Sequence, residues 1–308
     1  MKKVFIDGAS GTTGLRIYER LGERKDIELL SIPEELRKDP ATIKEYINKA
    51  DIVFLCLPDD AAKEAVAMVE NPNTVIIDTS TAHRTHDDFA YGFAEVSGNR
   101  EKIKASKRIA NPGCHASGFI SLVAPLVEKG IIPKDLGLTA FSLTGYSGGG
   151  KKMIADYEPL PEHLLAPRMY GITQKHKHLP EMKKVCGLTK EPVFCPIVSS
   201  YYAGMEVTVP LFKSDINGTL EDIKAVYRDY YQTSLVKFKE SADEGGFMTA
   251  GAYAGKDDME ITVVGNEDRI LLVSRFDNLG KGASGAAVQN MNIVLGVPET
   301  TGLTLSEE

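Results

Sequence analysis

The segment Asn111-Pro112-Gly113-Cys114 places a thiol directly after a strong turn signal. The apolar stretch that follows, Cys114 to Lys129, predicts a helix closing at Gly130. A thiol at a helix N-terminus meets the positive end of the macrodipole, which lowers its pKa and raises its thiolate fraction. That is the setting a nucleophile needs. Further on, Tyr170-Gly171-Ile172-Thr173-Gln174-Lys175-His176-Lys177-His178-Leu179-Pro180-Glu181 offers a base. On an extended backbone, residues two apart project to one face, so His176 and His178 are expected to point together, with Glu181 placed to orient one imidazole. The residues alone leave other readings open: an exposed basic strand with incidental histidines, or an HxH metal pair that lacks clear third and fourth ligands. Cys56 lies inside an apolar strand, and Cys186 and Cys195 flank a glycine and a proline without metal-ligand spacing. These three read as structural thiols, and no metal site is expected.

A second chemistry opens the chain. Gly8-Ala9-Ser10-Gly11-Thr12-Thr13-Gly14 follows a predicted strand and starts a predicted helix. Glycines let backbone approach a phosphate, and the helix N-terminus supplies N–H groups, so Gly8, Ser10, Gly11, Thr12, Thr13 and Gly14 are candidates for dinucleotide binding. The next strand ends at Leu30-Ser31-Ile32 with no carboxylate to hold ribose hydroxyls, and Arg37 and Lys38 follow. The missing carboxylate and the nearby cations Arg37 and Lys38 favour the 2′-phosphate of NADP(H), against the plainer reading of a solvated cationic surface, and Ser31 and Arg37 are taken as cofactor-binding candidates. A cysteine nucleophile beside a nicotinamide suits aldehyde chemistry: thiolate attack gives a thiohemiacetal, hydride leaves, and the thioester is resolved by water or phosphate. Asp78-Thr79-Ser80-Thr81-Ala82-His83-Arg84 follows a strand end, where ligand residues often fall. Thr144-Gly145-Tyr146-Ser147-Gly148-Gly149-Gly150-Lys151-Lys152 combines glycines, hydroxyls and lysines and is a candidate anion site, or is only a mobile linker.

The elements that must position these groups follow from periodicity. Strands are predicted at 4–6, 27–32, 52–57 and 75–77, and helices at 14–21, 41–48 and 61–69, a βαβαβ rhythm. From Leu138 the pattern changes: 138–143, 193–197, 205–212 and 270–276 read as strands, 219–232 as a helix. The expected fold class is α/β, a doubly wound parallel-sheet (Rossmann) domain plus an α+β substrate and dimerisation domain. Residues 1–113 with 283–308 form the first, through a returning helix at 283–295, and 114–282 the second. Residues from Thr300 read as a frayed tail.

Composition bounds the partners. The 308 residues carry 36 Lys and Arg against 43 Asp and Glu, a net charge of −7, which argues against nucleic acid and membrane surfaces. At 26% charged and 43% hydrophobic the chain is an ordinary globular protein. Met1-Lys2-Lys3 leads into only three apolar residues before Asp7, far short of a signal peptide, and four scattered cysteines make no disulfide framework. A cytoplasmic location with reduced thiols is expected.

Together these segments, with Asp277 to Asn292, closely resemble the short form of the N-acetyl-gamma-glutamyl-phosphate reductase family, relatives of aspartate-semialdehyde and glyceraldehyde-3-phosphate dehydrogenases. The resemblance covers nearly the whole chain, and Asn-Pro-Gly-Cys with His-x-His-x-Pro-Glu makes it specific. It implies NADPH-dependent reduction of N-acetyl-glutamyl 5-phosphate to the semialdehyde and inorganic phosphate, a step of arginine biosynthesis. Cys114 would attack the acyl phosphate, His176 or His178 would be the acid/base, and Tyr170 would match a neighbouring active-site tyrosine. Asn278 and Gln289 would hold the nicotinamide end, with Ser80, Arg84, Ser147 and Lys151 as anion contacts; a homodimer or homotetramer is implied. The residues also admit reduction of another acyl phosphate, such as aspartyl phosphate or a carrier-bound aminoadipyl or glutamyl phosphate, or a catalytically silent NADP-binding regulator, against which the intact cysteine and histidine pair speak. One departure stands out: the family usually has an aromatic residue after the cysteine, and this chain has His115. His115 could perturb the thiol, but a neighbour on a helix faces away from its predecessor, so His115 is expected to be a variant in the layer of residues that surrounds the reacting groups.

Overall fold

The computed structural model describes residues 1–307. The chain divides into two compact units: Met1–Ala94, Gly98–Pro112 and Ala283–Leu303 in the first, Glu95–Ser97, Gly113–Gly282 and the residues from Thr304 in the second.

The first unit opens with β1 (Lys2–Asp7), α1 (Thr12–Leu21), β2 (Ile27–Leu30), α2 (Pro40–Lys49), β3 (Ile52–Leu55), α3 (Asp59–Ala67), β4 (Val75–Asp78), β5 (Ala90–Tyr91), α4 (Asn99–Ala105) and β6 (Arg108–Ala110). Its six strands form a wholly parallel sheet in the order β2-β1-β3-β4-β6-β5. Strand alternation sends Val4, Ile6, Ile52 and Phe54 to one face, beneath Ile17, Leu21 and Ile103. Phe5, Val53, Leu55 and Ile76 go to the other, beneath Ile47, Ala62 and Ala65. Because both faces are covered, β3 is apolar throughout and β4 is apolar up to Asp78, its last residue. Helix starts are locally encoded: Asp39 caps α2 by accepting from the Thr42 N–H, and Pro40 fills the first helical position.

The second unit contains α5 (Cys114–Glu128), β7 (Thr139–Gly145), α6 (Gly150–Tyr157), β8 (Arg168–Met169), α7 (Leu179–Cys186), β9 (Val193–Ser199), β10 (Met205–Phe212), α8 (Leu220–Tyr230), β11 (Val236–Phe238), β12 (Met259–Gly265) and β13 (Arg269–Phe276). Its seven strands run β11-β12-β13-β10-β7-β9-β8, with β7–β9 and β11–β12 parallel and the other pairs antiparallel. Every residue of α5 from His115 to Val127 is buried. The Tyr227 and Tyr231 hydroxyls donate to the carbonyls of Leu122 and Ser121, fixing α8 and its end against α5. On β10 the alternation is strict, Met205, Val207, Val209 and Leu211 inward. The strand registers place Phe141, Val193, Phe212 and Leu271 on the opposite face, where all four are exposed. The chain then turns through a π-helical segment at Gly280–Ser284 into α9 (Gly285–Leu295), whose Val288 and Met291 join the core of the first unit. No helix among the described residues is long and apolar enough to cross a membrane.

Two short segments depart from the expected boundaries. Glu95–Ser97 belongs to the second unit, where both Glu95 oxygens accept from Lys281 Nζ in a pair only 1% exposed on either side. The tail from Thr304 is not frayed. Asp257 and Asp258 are fully buried, and buried carboxylates demand donors. The Thr304 N–H supplies Asp257 at 2.9 Å and the Ser306 N–H supplies Asp258 at 3.0 Å. Deleting residues 304–308 therefore strips donors from two buried carboxylates, at a cost of roughly 1–3 kcal/mol for each group left short. Urea unfolding of the truncated chain is expected to show a clearly lower midpoint, and an unchanged midpoint would contradict this reading of the tail.

Candidate active site

Cys114 is the first residue of α5, with Gly113 as its extended N-cap and no acidic side chain in the first turn. The N–H groups and positive dipole end of a helix start favour an anion. The Gly113 N–H donates to Glu181 Oε2 at 3.2 Å, and the other oxygen of Glu181 lies 4.0 Å from His178 Nε2. Glu181, 1% exposed in the first turn of α7, thus joins the start of α5 to an imidazole. On the other side the chain passes close: a Cβ on Gly282 would sit 2.9 Å from Cys114 Cβ.

His176 and His178 meet, but not on an extended strand. Gly171 and Gln174 take positive φ of 62° and 53°, and the Gln174 amide is locked to the Phe194 backbone, accepting from its N–H and donating to its carbonyl. The segment folds as turns, and His178 becomes the N-cap of α7 because Pro180 suits a helix's opening positions. The two rings pack edge to face with centroids 4.7 Å apart.

His115 packs against this cluster from α5. Its ring centroid is 5.6 Å from those of both His176 and His178 and 5.2 Å from that of Phe194. Its Nδ1 lies 2.6 Å from Ser142 Oγ and its Nε2 2.5 Å from Tyr170 Oη. Facing away from Cys114 does not mean leaving the site, because α5 is buried all round and the 170–178 turns fold over its first residues. The departure at position 115 was visible in the sequence; its direction was not. Loss of water, with His176 nearby, holds His115 down at about 3, so the ring is neutral. Loss of water, reinforced by Cys114, pushes the Tyr170 phenol up and keeps it protonated.

In the first unit a cleft of about 510 Å³ is lined by Gly8, Ala9, Ser10, Ser31, Arg37 and Lys38 among others. Gly8 has φ +82°, and a Cβ there would lie 2.3 Å from the Cys56 carbonyl oxygen, so only glycine makes this turn. Gly11 is the N-cap of α1, followed by Thr12, Thr13 and Gly14 without an acidic residue in the first turn. Thr12 Oγ1 is buried without a hydrogen-bond partner. An orphaned hydroxyl at an unneutralised helix N-terminus fits the phosphates of a dinucleotide. Arg37 is exposed and paired with Glu34 at 2.6 Å.

The remaining candidates divide. Ser80 Oγ donates to Asp78, which also receives His83 Nδ1 at 2.6 Å. Arg84 donates to the carbonyls of Asn111 and Thr79. In the second unit Asn278 Nδ2 donates to Ser147 Oγ and Asn278 Oδ1 accepts from the Gly204 N–H, while Lys151 is exposed in the first turn of α6. Gln289 departs from expectation: it is 1% exposed and donates to Glu299, which also receives Arg100, so it ties α9 to the C-terminal segment rather than lining the cleft. Among the described residues no group of three or more His, Cys, Asp or Glu is placed to hold a metal ion.

Residues 114–278 match the family Semialdehyde dehydrogenase, dimerisation domain, and residues 31–106 match Semialdehyde dehydrogenase, NAD binding domain. The N-acetyl-gamma-glutamyl-phosphate reductases of Brucella ovis and Brucella anthropi are each 48% identical to the chain over 307 residues, 96% of this chain and 99% and 98% of theirs. The chain belongs to this reductase family of semialdehyde dehydrogenases. It is accordingly an oxidoreductase with a nicotinamide-binding domain of Rossmann type. The family's fold is shared by aspartate semialdehyde dehydrogenase II from Vibrio cholerae, solved in complex with ASA, at a TM-score of 0.74, 18% identity and coverage of 96% of this chain and 98% of that one. Aspartate semialdehyde dehydrogenase from Candida albicans, solved with NADP, matches at 0.66 and 16% identity over 96% and 98%. At these identities the likeness is one of fold.

The four thiols of this family member are expected to differ in reactivity. Loss of water pushes both the Cys56 and the Cys186 thiols up, so both hold less thiolate at pH 8 than an ordinary thiol, whereas Cys114 stands at a helix N-terminus, a setting that favours thiolate. Iodoacetamide treatment of the native protein at pH 8 with peptide mapping is expected to modify Cys114 at least about tenfold faster than Cys56 or Cys186. Comparable labelling of either would contradict the assignment.

Proposed function

We propose that the protein catalyses NADPH-dependent reduction of N-acetyl-L-glutamyl 5-phosphate to N-acetyl-L-glutamate 5-semialdehyde and inorganic phosphate, through a thioester on Cys114, in arginine biosynthesis. The observation that carries the reading is the half-buried thiol at the N-terminus of α5, in the same unit as Tyr170, His176 and His178. The names of the Brucella relatives support the substrate.

In this reading the first turn of α5 stabilises the Cys114 thiolate. The sulfur attacks the acyl carbon; the C–S bond forms, the C–O bond to phosphorus breaks, and His176 or His178 protonates the departing phosphate oxygen. Glu181, beside His178 Nε2, favours His178 as the oriented ring. A nicotinamide held by the cofactor residues assigned below would supply hydride to the thioester carbon. Tyr170 and the first N–H groups of α5 then steady the oxyanion, whose collapse re-forms the carbonyl, breaks the C–S bond and returns the electron pair to sulfur. We assign Gly8, Ser10, Gly11, Thr12, Thr13 and Gly14 to the cofactor's phosphates, Ser31 and Arg37 to its 2′-phosphate, and Ser80 and Asn278 to its nicotinamide end. Arg84, Ser147 and Lys151 are assigned to the substrate's anionic groups. The open sheet face bearing Phe141, Val193, Phe212 and Leu271 suits a homo-oligomer, consistent with the matched dimerisation domain, and a chain without disulfides suits the cytoplasm.

Two measurements test this. Phosphate-dependent oxidation of N-acetyl-glutamate semialdehyde is expected to exceed that of aspartate semialdehyde, and Cys114→Ser is expected to lose more than about 10³-fold in kcat. Preference for aspartate semialdehyde would overturn the substrate, and near-wild-type turnover of the variant would overturn the mechanism. Arg37→Ala is expected to lower kcat/KM for NADPH by roughly tenfold while sparing NADH. An equal effect on both cofactors would remove Arg37 from the 2′-phosphate.

A further inference from the structure

Both ring nitrogens of His115 end on hydroxyl groups, Ser142 Oγ on β7 and Tyr170 Oη. The ring is 3% exposed, stands edge-on to His176 and is wedged against His178 and Phe194. A neutral imidazole has one donor and one acceptor, so only two arrangements of this chain exist. Either Nδ1–H donates to Ser142 and Tyr170 spends its hydrogen on Nε2, or Ser142 donates to Nδ1 and Nε2–H donates to Tyr170.

The surroundings of Tyr170 choose between them. Its Oη stands 2.5 Å from the ring of the residue that follows Cys114, at the first turn of α5, and loss of water with Cys114 nearby keeps the phenol protonated. A hydrogen bond to an ionised acceptor is roughly twice as strong as one between neutral groups, so the phenol gains more from a thiolate than from a ring nitrogen. We propose that His115 is a positioning residue acting through Tyr170: Ser142 O–H donates to Nδ1, Nε2–H donates to Tyr170 Oη, and the phenol hydrogen is thereby left to donate to the Cys114 thiolate and to the acyl oxygen later attached there. The titratable groups facing this chain are Cys114 on the same helix, Tyr170, His176 and His178 from the 170–178 turns and Glu181 on α7; β7 and β9 contribute the uncharged Ser142 and Phe194. The proposal rests on Cys114 as the nucleophile, but its first readout needs no substrate.

The test uses the full-length protein with His115→Phe, Tyr170→Phe and both together. The pH midpoint of Cys114 alkylation by iodoacetamide, followed on the Cys114 peptide, is expected to rise in each single variant. kcat is expected to fall about tenfold in each, the worth of one hydrogen bond to a charged group, with KM changed less. In the Tyr170→Phe background, His115→Phe is expected to add less than about twofold, since residues acting as one unit are not additive. A raised midpoint upholds the proposal even if N-acetyl-glutamyl phosphate is not reduced, which would then count against the proposed substrate alone. An unchanged midpoint, or the same loss from His115→Phe in both backgrounds, overturns it and leaves His115 as packing. Should His115→Phe not fold, His115→Gln, whose amide N–H can reach Tyr170, is expected to keep the wild-type midpoint; a raised midpoint there overturns the proposal equally.

Discussion

The first turn of α5 carries a conflict that the rest of the second unit resolves. Thirteen consecutive residues of this helix, His115 to Val127, are buried, yet in the proposed reaction its N-terminus presents polar N–H groups and a thiol to an anionic substrate. Burial strengthens every electrostatic interaction there and penalises every unmet one. Glu181 takes the Gly113 N–H, and the 170–178 turns bring Tyr170, His176 and His178 over the helix start. The packing that stabilises the unit and the chemistry assigned to it use the same helix, so Cys114 inherits its orientation from a core element rather than from a loop.

The first unit meets a simpler demand, room for phosphate beside backbone. Gly8 can approach the Cys56 carbonyl only because it lacks a Cβ, and that approach lets the chain turn from β1 into α1 with the helix N-terminus unneutralised. The Arg37–Glu34 pair is exposed on both sides, and exposed pairs contribute about 0–1 kcal/mol. An incoming phosphate can therefore draw Arg37 from Glu34 at little cost. Arg84 and Ser80 differ, being set by bonds to backbone and to Asp78 that order them in advance.

Much of this was legible in residue order because the signals were local. Apolar runs bounded by turn residues placed β1, β3, β4 and β10 to within two residues at each end, and Asn-Pro-Gly before Cys114 marked the start of α5. What escaped depends on distant partners. The two-residue strands β5 and β8 exist only by pairing with β6 and β9, and the C-terminal tail is ordered by Asp257 and Asp258, which nothing in the tail's own composition announces. The 170–178 segment reads as extended by its alternation but is bent by Gly171 and Gln174, the latter through bonds to Phe194. The partners of His115 escaped for a related reason: neighbours on a helix diverge, but on a helix enclosed by protein both directions lead to contacts.

The central claim, that Cys114 carries the acyl group, can be read without hydride transfer. Mixing the protein with N-acetyl-glutamyl phosphate in the absence of nicotinamide and following phosphate release alongside intact mass is expected to give a stoichiometric burst of phosphate. An N-acetyl-glutamyl adduct is expected on the Cys114 peptide. Phosphate release without an adduct, or an adduct on any other residue, would contradict the account.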